Sequence, residues 1–233
     1  MTVQLARRPR QLIIPACDVY PNDRLMKVEK DELDRFFSLM KVGSIRQLLL
    51  KDACFNLVDN YLLAVVFVYF KRAGLNRRRE YTVDNFWLCL YLAHDMEEDE
   101  DELKWELIPW ALGNDWIRHY AKFSLKKTEL WKRMNYKSLV SRRQCNQIMM
   151  LSSYSAFWNR QRSEGHSGAV RRPPGEYRPS GAGVSPPCFR CKNESIDTPD
   201  LNQDVEDHFY VYNGMDVNEG DSSDDDRGFM EVE

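Results

Sequence analysis

The stretch DNYLLAVVFVYFKR, residues 59–72, decides how the rest of the chain is read. From Tyr61 to Phe70 it runs ten residues without a charge, a proline or a glycine, so a helix built from it has no polar face. A helix that is apolar all round belongs at the centre of a bundle, because a surface helix needs a side that water can solvate. Two features sit oddly beside such a core element. It opens on a carboxylate, Asp59, and about one helix later comes a run of six acids, EEDEDE, at residues 97–102.

Nothing breaks a helical pattern anywhere in 52–73, and the helix is predicted over that whole interval. On this reading Asp59 shares a face with Phe55, Leu62, Leu63 and Val66 by the three- and four-residue spacing. N-terminal to it, Asp31 reads as the cap of a first helix presenting Phe36, Phe37, Leu39 and Met40, and Gly43 with Ser44 restarts the chain as a short helix through Leu50. C-terminal to it, Thr82 caps a helix, VDNFWLCLYLA, that ends near Asp95. IPWALG (108–113) then reads as a turn or docked loop, since Pro109 disfavours helix at its predecessor and Gly113 suits a left-handed stop. Two further helices are predicted over 125–134 and 141–151. Strand-type alternation is scarce and no internal repeat is evident, so the fold class is all-α, a helical bundle.

The ends differ from this middle. The first residues carry Pro9, Pro15 and Pro21 without helical periodicity, and from 161 the composition turns to Gly, Pro, Ser and Arg, too poor in apolar surface to offset the entropy of ordering. The expected organisation is a disordered lead-in over 1–26, a helical domain over 27–172, and a disordered Pro/Gly-rich, then acidic, tail over 173–233. Residues 200–233 hold twelve acids and one base, which leaves 1–199 at +8 against a chain total of −3. That asymmetry marks an acidic tail.

With 43% hydrophobic and 12% aromatic residues the chain can build a core. Its longest apolar run falls well short of the roughly 20 residues a membrane span needs, and no secretory signal is visible, so an intracellular protein without a membrane partner is expected. Six scattered cysteines imply no disulfide framework. Cys188 and Cys191 form a lone CxxC in a proline-rich segment, with His166 and His208 at no recognised ligand spacing, so no metal site is expected. The four histidines cluster with neither acid nor thiol, which argues against acid/base or nucleophilic catalysis and so against an enzyme; no cofactor is called for. Arg77, Arg78 and Arg79 lack interleaved aromatics, and with the acidic tail they argue against a nucleic-acid partner.

Asp59 among apolar neighbours is costly unless it is paired or lies at an interface with another protein. Its internal alternatives are an ion pair with Arg35 or Lys71, or simple exposure. Glu97, Glu98 and Asp99 fall where the preceding helix ends, at the negative end of its dipole, a position that suggests a use other than helix stability. The bland reading of such a run is a solvated surface.

The order of segments adds a resemblance. A central helix YLLAVVFVYFKRA, a short basic loop, the helix FWLCLYLAHDMEED and IPWALG are similar in order and spacing to the first half of a cyclin box. Closer still, DNYLLAVVFVYFKRA, EEDEDE, IPWALG, VSRR at 140–143, FWNRQRS from Phe157 and HSGAVR from His166 resemble the Speedy/RINGO family over 31–172. That resemblance implies a cyclin-box-like all-α domain that binds a cyclin-dependent kinase as a heterodimer and activates it without phosphorylation of its activation loop, promoting cell-cycle progression. It implies a kinase-binding set of Asp59, Glu97, Glu98 and Asp99, and a location in the nucleus, with the cytoplasm as a second. The alternative is a cyclin-like scaffold that binds a kinase or another partner without activating it. One departure stands out: Asp95 occupies the place where cyclins carry a basic residue, so cyclin-style lysine contacts are not expected.

Overall fold

The computed structural model describes residues 26–98, 101–166, 177–186 and 188. Among these, seven α-helices and three single turns of 3₁₀-helix account for the regular structure: α1 Lys30–Leu39, α2 Gly43–Lys51, α3 Asn60–Arg72, α4 Val83–Glu97, α5 Asp101–Leu112, α6 Trp116–Arg133 and α7 Arg142–Leu151. The fold is the expected all-α, cyclin-like bundle.

Helix α3 is its axis. Every residue from Leu62 to Phe70 is buried, as its all-round apolar sequence requires. It packs most extensively on α4, which in turn carries α5 and α6, while α7 covers another side of α3. Phe36 of α1 meets Phe67 and Phe70 of α3 edge-on, at centroid distances of 5.3 and 5.8 Å, and Tyr69 donates its hydroxyl to the Ser138 carbonyl at 2.7 Å. The chain returns to this core after α7, where Phe157 stacks on Phe37 at 5.7 Å and Trp158 meets the same ring edge-on at 5.4 Å.

Four expectations need correction. Helix α1 starts at Lys30 behind Glu29, whose backbone N–H donates to Glu32, so Asp31 lies inside the first turn. Helix α3 starts at Asn60 and not at residue 52. Helix α6 starts at Trp116, ahead of the predicted 125. IPWAL, 108–112, is helical: Pro109 sits within α5, where it removes one backbone donor, and burial of Leu107, Ile108 and Trp110 outweighs the proline's cost of about 3 kcal/mol. Gly113 does supply the left-handed stop, at φ 78°, with its N–H on the Pro109 carbonyl at 2.8 Å.

Two described residues beyond 172 also pack on the helices. Glu106 of α5 is only 1% exposed, and its carboxylate accepts the Tyr177 hydroxyl, the Ser180 backbone N–H at 3.0 Å and the Ser180 hydroxyl at 3.2 Å. Tyr177 and Ser180 are therefore held on α5, although composition assigns them to a tail.

Candidate functional site

The site is built on the loop that replaces the expected first turns of α3. Asp52 is 2% exposed and accepts backbone N–H groups from Asn56 at 3.0 Å, Leu57 at 3.2 Å and Val58 at 2.8 Å, which folds 52–58 back on itself. Arg160, distant in sequence, closes the arrangement: it donates to the Asp52 carboxylate at 3.1 Å, the Val58 carbonyl at 2.7 Å and the Leu49 carbonyl at 2.8 Å. Its guanidinium also lies over the Phe55 ring at 4.6 Å, and Phe55 is held at φ 54°, a left-handed conformation unusual for an aromatic residue. Burial pushes the Asp52 carboxyl above its ordinary range, opposed by Arg160 and the three amides.

Held this way, Asp59 is not on a helix face. It is the N-cap of α3, accepting the Leu62 N–H at 2.8 Å. Its ion-pair partner is neither Arg35 nor Lys71, which pair with Asp31 and with Glu32 respectively. The partner is Arg162, whose Nε lies 3.4 Å from Asp59 and whose two terminal nitrogens grip Glu98 at 2.7 and 3.1 Å. Arg162 also donates to the carbonyls of Phe55 at 3.3 Å and Asn56 at 3.2 Å, so one guanidinium ties the loop to the end of α4. Neither arginine was singled out in the sequence, although the repeated basic positions in FWNRQR were the available signal.

Asp59, Glu97 and Glu98 line one open groove of about 560 Å³, together with Glu164 and two arginines, Arg142 and Arg162. Four carboxylates against two guanidiniums leave the groove negative. Glu97, the last residue of α4, is exposed and has no ion-pair partner among the described residues. The Asp59 carboxyl is raised by burial, against the Leu62 amide and Arg162; the Glu97 carboxyl is raised by lost hydration on the groove side and by the charges of Glu98 and Asp59. Negative charge here is costly until a cation meets it. Asp99 and Glu100 lie outside the described residues.

The acidic run is thus split between two helix ends, with Asp101 and Glu102 in the first turn of α5, where acids suit the dipole. Asp95, in the place of the cyclin basic residue, is bound by Lys104 of α5 at 3.0 Å and Lys127 of α6 at 2.5 Å, fixing the last turn of α4 from both sides. His94, 1% exposed, donates its Nε2–H to the Leu57 carbonyl at 2.7 Å and so joins α4 to the loop.

Burial holds the His94 pKa below its ordinary value of 6.5, against the opposing pull of Glu98. Above that value both folded and unfolded chains are neutral at this residue; below it the unfolded chain takes up a proton that the folded one refuses, so stability falls as pH drops. Urea midpoints at about pH 7.5 and about pH 5.5 should show this loss, and His94→Asn should shrink the difference between them. An unchanged difference would remove His94 from the titration.

The family model described as cell cycle regulatory protein (Spy1) matches residues 31–162, a stretch that contains Asp59, Glu97 and Glu98 and ends on Arg162. Speedy protein A of Rattus norvegicus is 41% identical over 151 residues, covering 65% of this chain and 48% of its own length. Speedy protein C of Homo sapiens is 42% identical over 166 residues, covering 70% of this chain and 60% of its own length. The chain therefore spans about half the length of the curated relatives it matches. With more than half of its residues matched by the family model, and with the helical core and the groove acids Asp59, Glu97 and Glu98 inside that match, the chain belongs to the Speedy family of cell cycle regulatory proteins.

Proposed function

We propose that the chain binds a cyclin-dependent kinase in a cyclin-like manner and activates it without phosphorylation of its activation loop, acting in the nucleus and with no catalytic groups of its own. The observation that carries this reading is the groove itself: Asp59 from the start of α3 and Glu98 from the end of α4 are joined by Arg162, and Glu97 lines the same groove beside them. A phosphothreonine presents a charge of about −2 and several acceptor oxygens to arginine forks, and a fixed group of carboxylates offers the same chemistry. Glu97, exposed and beside Asp59, is the acid best placed to meet an arginine of the kinase; Asp99 joins the set on its sequence position. The kinase supplies the catalysis.

A second reading, a scaffold that binds a kinase without activating it, is favoured by one feature: Arg162 already engages Asp59 and Glu98. Reconstitution of the full chain with an unphosphorylated cyclin-dependent kinase separates the two, with complex formation and histone phosphorylation measured independently. Both together support activation. A complex without phosphorylation selects the scaffold, and no complex rejects both.

A further inference from the structure

Three segments distant in sequence bring metal-ligating groups to one place outside the acidic groove. The thiol sulfurs of Cys54 and Cys188 and a ring nitrogen of His166 lie within 4.8 Å of one another, and all three residues are half-buried. Cys54 sits in the Asp52–Asp59 loop, His166 closes the turn Glu164–His166, and Cys188 lies eight residues beyond Ser180, which is bound to Glu106 of α5. Cys191, which the sequence offers at CxxC spacing from Cys188, lies outside the described residues.

We infer that Cys54, His166 and Cys188 form a zinc site. Two thiolates and an imidazole are the donor set that selects a borderline-soft ion and disfavours magnesium or calcium, which take oxygen ligands. Ligands about 2.0–2.3 Å from a tetrahedral ion stand roughly 3.3–3.8 Å from one another. The three donor atoms, within 4.8 Å of one another, have about 1 Å to close to reach that spacing. Binding releases the thiol protons and leaves a fourth position for water or a further donor.

The placement gives the ion a structural task. The turn carrying His166 begins two residues after Arg162, and Arg162 is hydrogen-bonded to the carbonyls of Phe55 and Asn56, the two residues after Cys54. Zinc would fasten the same two segments that Arg162 joins by hydrogen bonds, and add the Cys188 segment to them. Two of the three ligands fall outside the residues matched by the family model, 31–162. The site stands apart from the kinase reading, and the failure of either leaves the other untouched.

The test uses the full chain purified under reducing conditions with zinc supplied, its metal content measured by mass spectrometry and its ligand field by cobalt substitution. One zinc per chain is expected, with the thiolate-to-metal charge transfer and visible absorption of tetrahedral cobalt. Cys54→Ser with Cys188→Ser should abolish both, and His166→Asn should weaken zinc binding by more than about tenfold, with circular dichroism confirming that the helices persist. Chelation should lower the melting temperature of the parent protein and leave that of the double serine variant unchanged. Metal-free parent protein, equal zinc in parent and double variant, or a Cys54–Cys188 disulfide found by mass spectrometry without added oxidant would each overturn the site.

Discussion

Arg160→Ala should cost about 3–5 kcal/mol of unfolding free energy, or roughly 10 °C in melting temperature. The arginine is almost wholly withdrawn from water, and its removal takes a donor from three acceptors together: the Asp52 carboxylate and the Leu49 and Val58 carbonyls. Asp52, 2% exposed, would keep its three amide donors but lose its countercharge, the condition under which a buried carboxylate is most destabilising. Arg160→Lys should recover only part of the loss, since an ammonium cannot span a fork of separated acceptors and lie flat on Phe55 as well. Urea unfolding measures both. A loss below about 1 kcal/mol for the alanine variant would show that packing of Phe157 and Trp158 on Phe37, and not the guanidinium, holds the loop.

The second large effect is on the kinase. Asp59→Asn with Glu97→Gln should lower activation of an unphosphorylated kinase at least about tenfold, because removing one side of a desolvated interfacial charge pair typically costs about 2–5 kcal/mol. The pair of substitutions is chosen for what it spares. Asparagine caps a helix as well as aspartate, so the Leu62 N–H keeps an acceptor; Glu97 has no described internal partner to lose; and Glu98 is left to hold Arg162. Folding should therefore be nearly unchanged. A kinase already phosphorylated on its loop should be less sensitive, since its own phosphate gathers the arginines. Equal activation by parent and variant on unphosphorylated kinase removes the phosphate-mimic mechanism. A sharp fall in melting temperature of the variant alone would assign the acids to internal stability.

These two outcomes turn on residues that the sequence treats unequally. The central position of α3 follows from ten uncharged residues, and Gly113 ends α5 as its chemistry demands, because in both cases local pattern and tertiary need agree. The same local reasoning carries α3 back to residue 52, since nothing between 52 and 59 breaks a helix. What stops it is Asp52 capturing three amides under Arg160, a contact made across more than a hundred residues that no window along the chain contains. Pro109 inside α5 is the converse case, a local breaker overruled by burial of its neighbours. Asp59 and the Glu97–Glu98 pair were visible as misplaced charge, and the structure brings them to one groove, but Arg162 between them was not. An arginine in a polar, basic segment looks like any solvated arginine until its acceptors are known. Cys54, His166 and Cys188 escape for a similar reason: ligand spacing is a sequence signal only when the ligands are close in sequence.

Glu106 bears on where this protein can be cut. A boundary drawn from composition at residue 172 discards Tyr177 and Ser180, which are the described donors to a carboxylate that has almost no access to water. Shortened there, the chain would have to admit solvent beside α5 or bury a bare charge, and either would raise its tendency to unfold and aggregate for reasons unrelated to partner binding. A failed assay on such a fragment would then report the missing hydroxyls and amide of a proline-rich strap, not the worth of the acidic groove. Truncations that keep residues through 188 retain those donors along with Cys188, and a protease should nick the two lengths of chain at different rates.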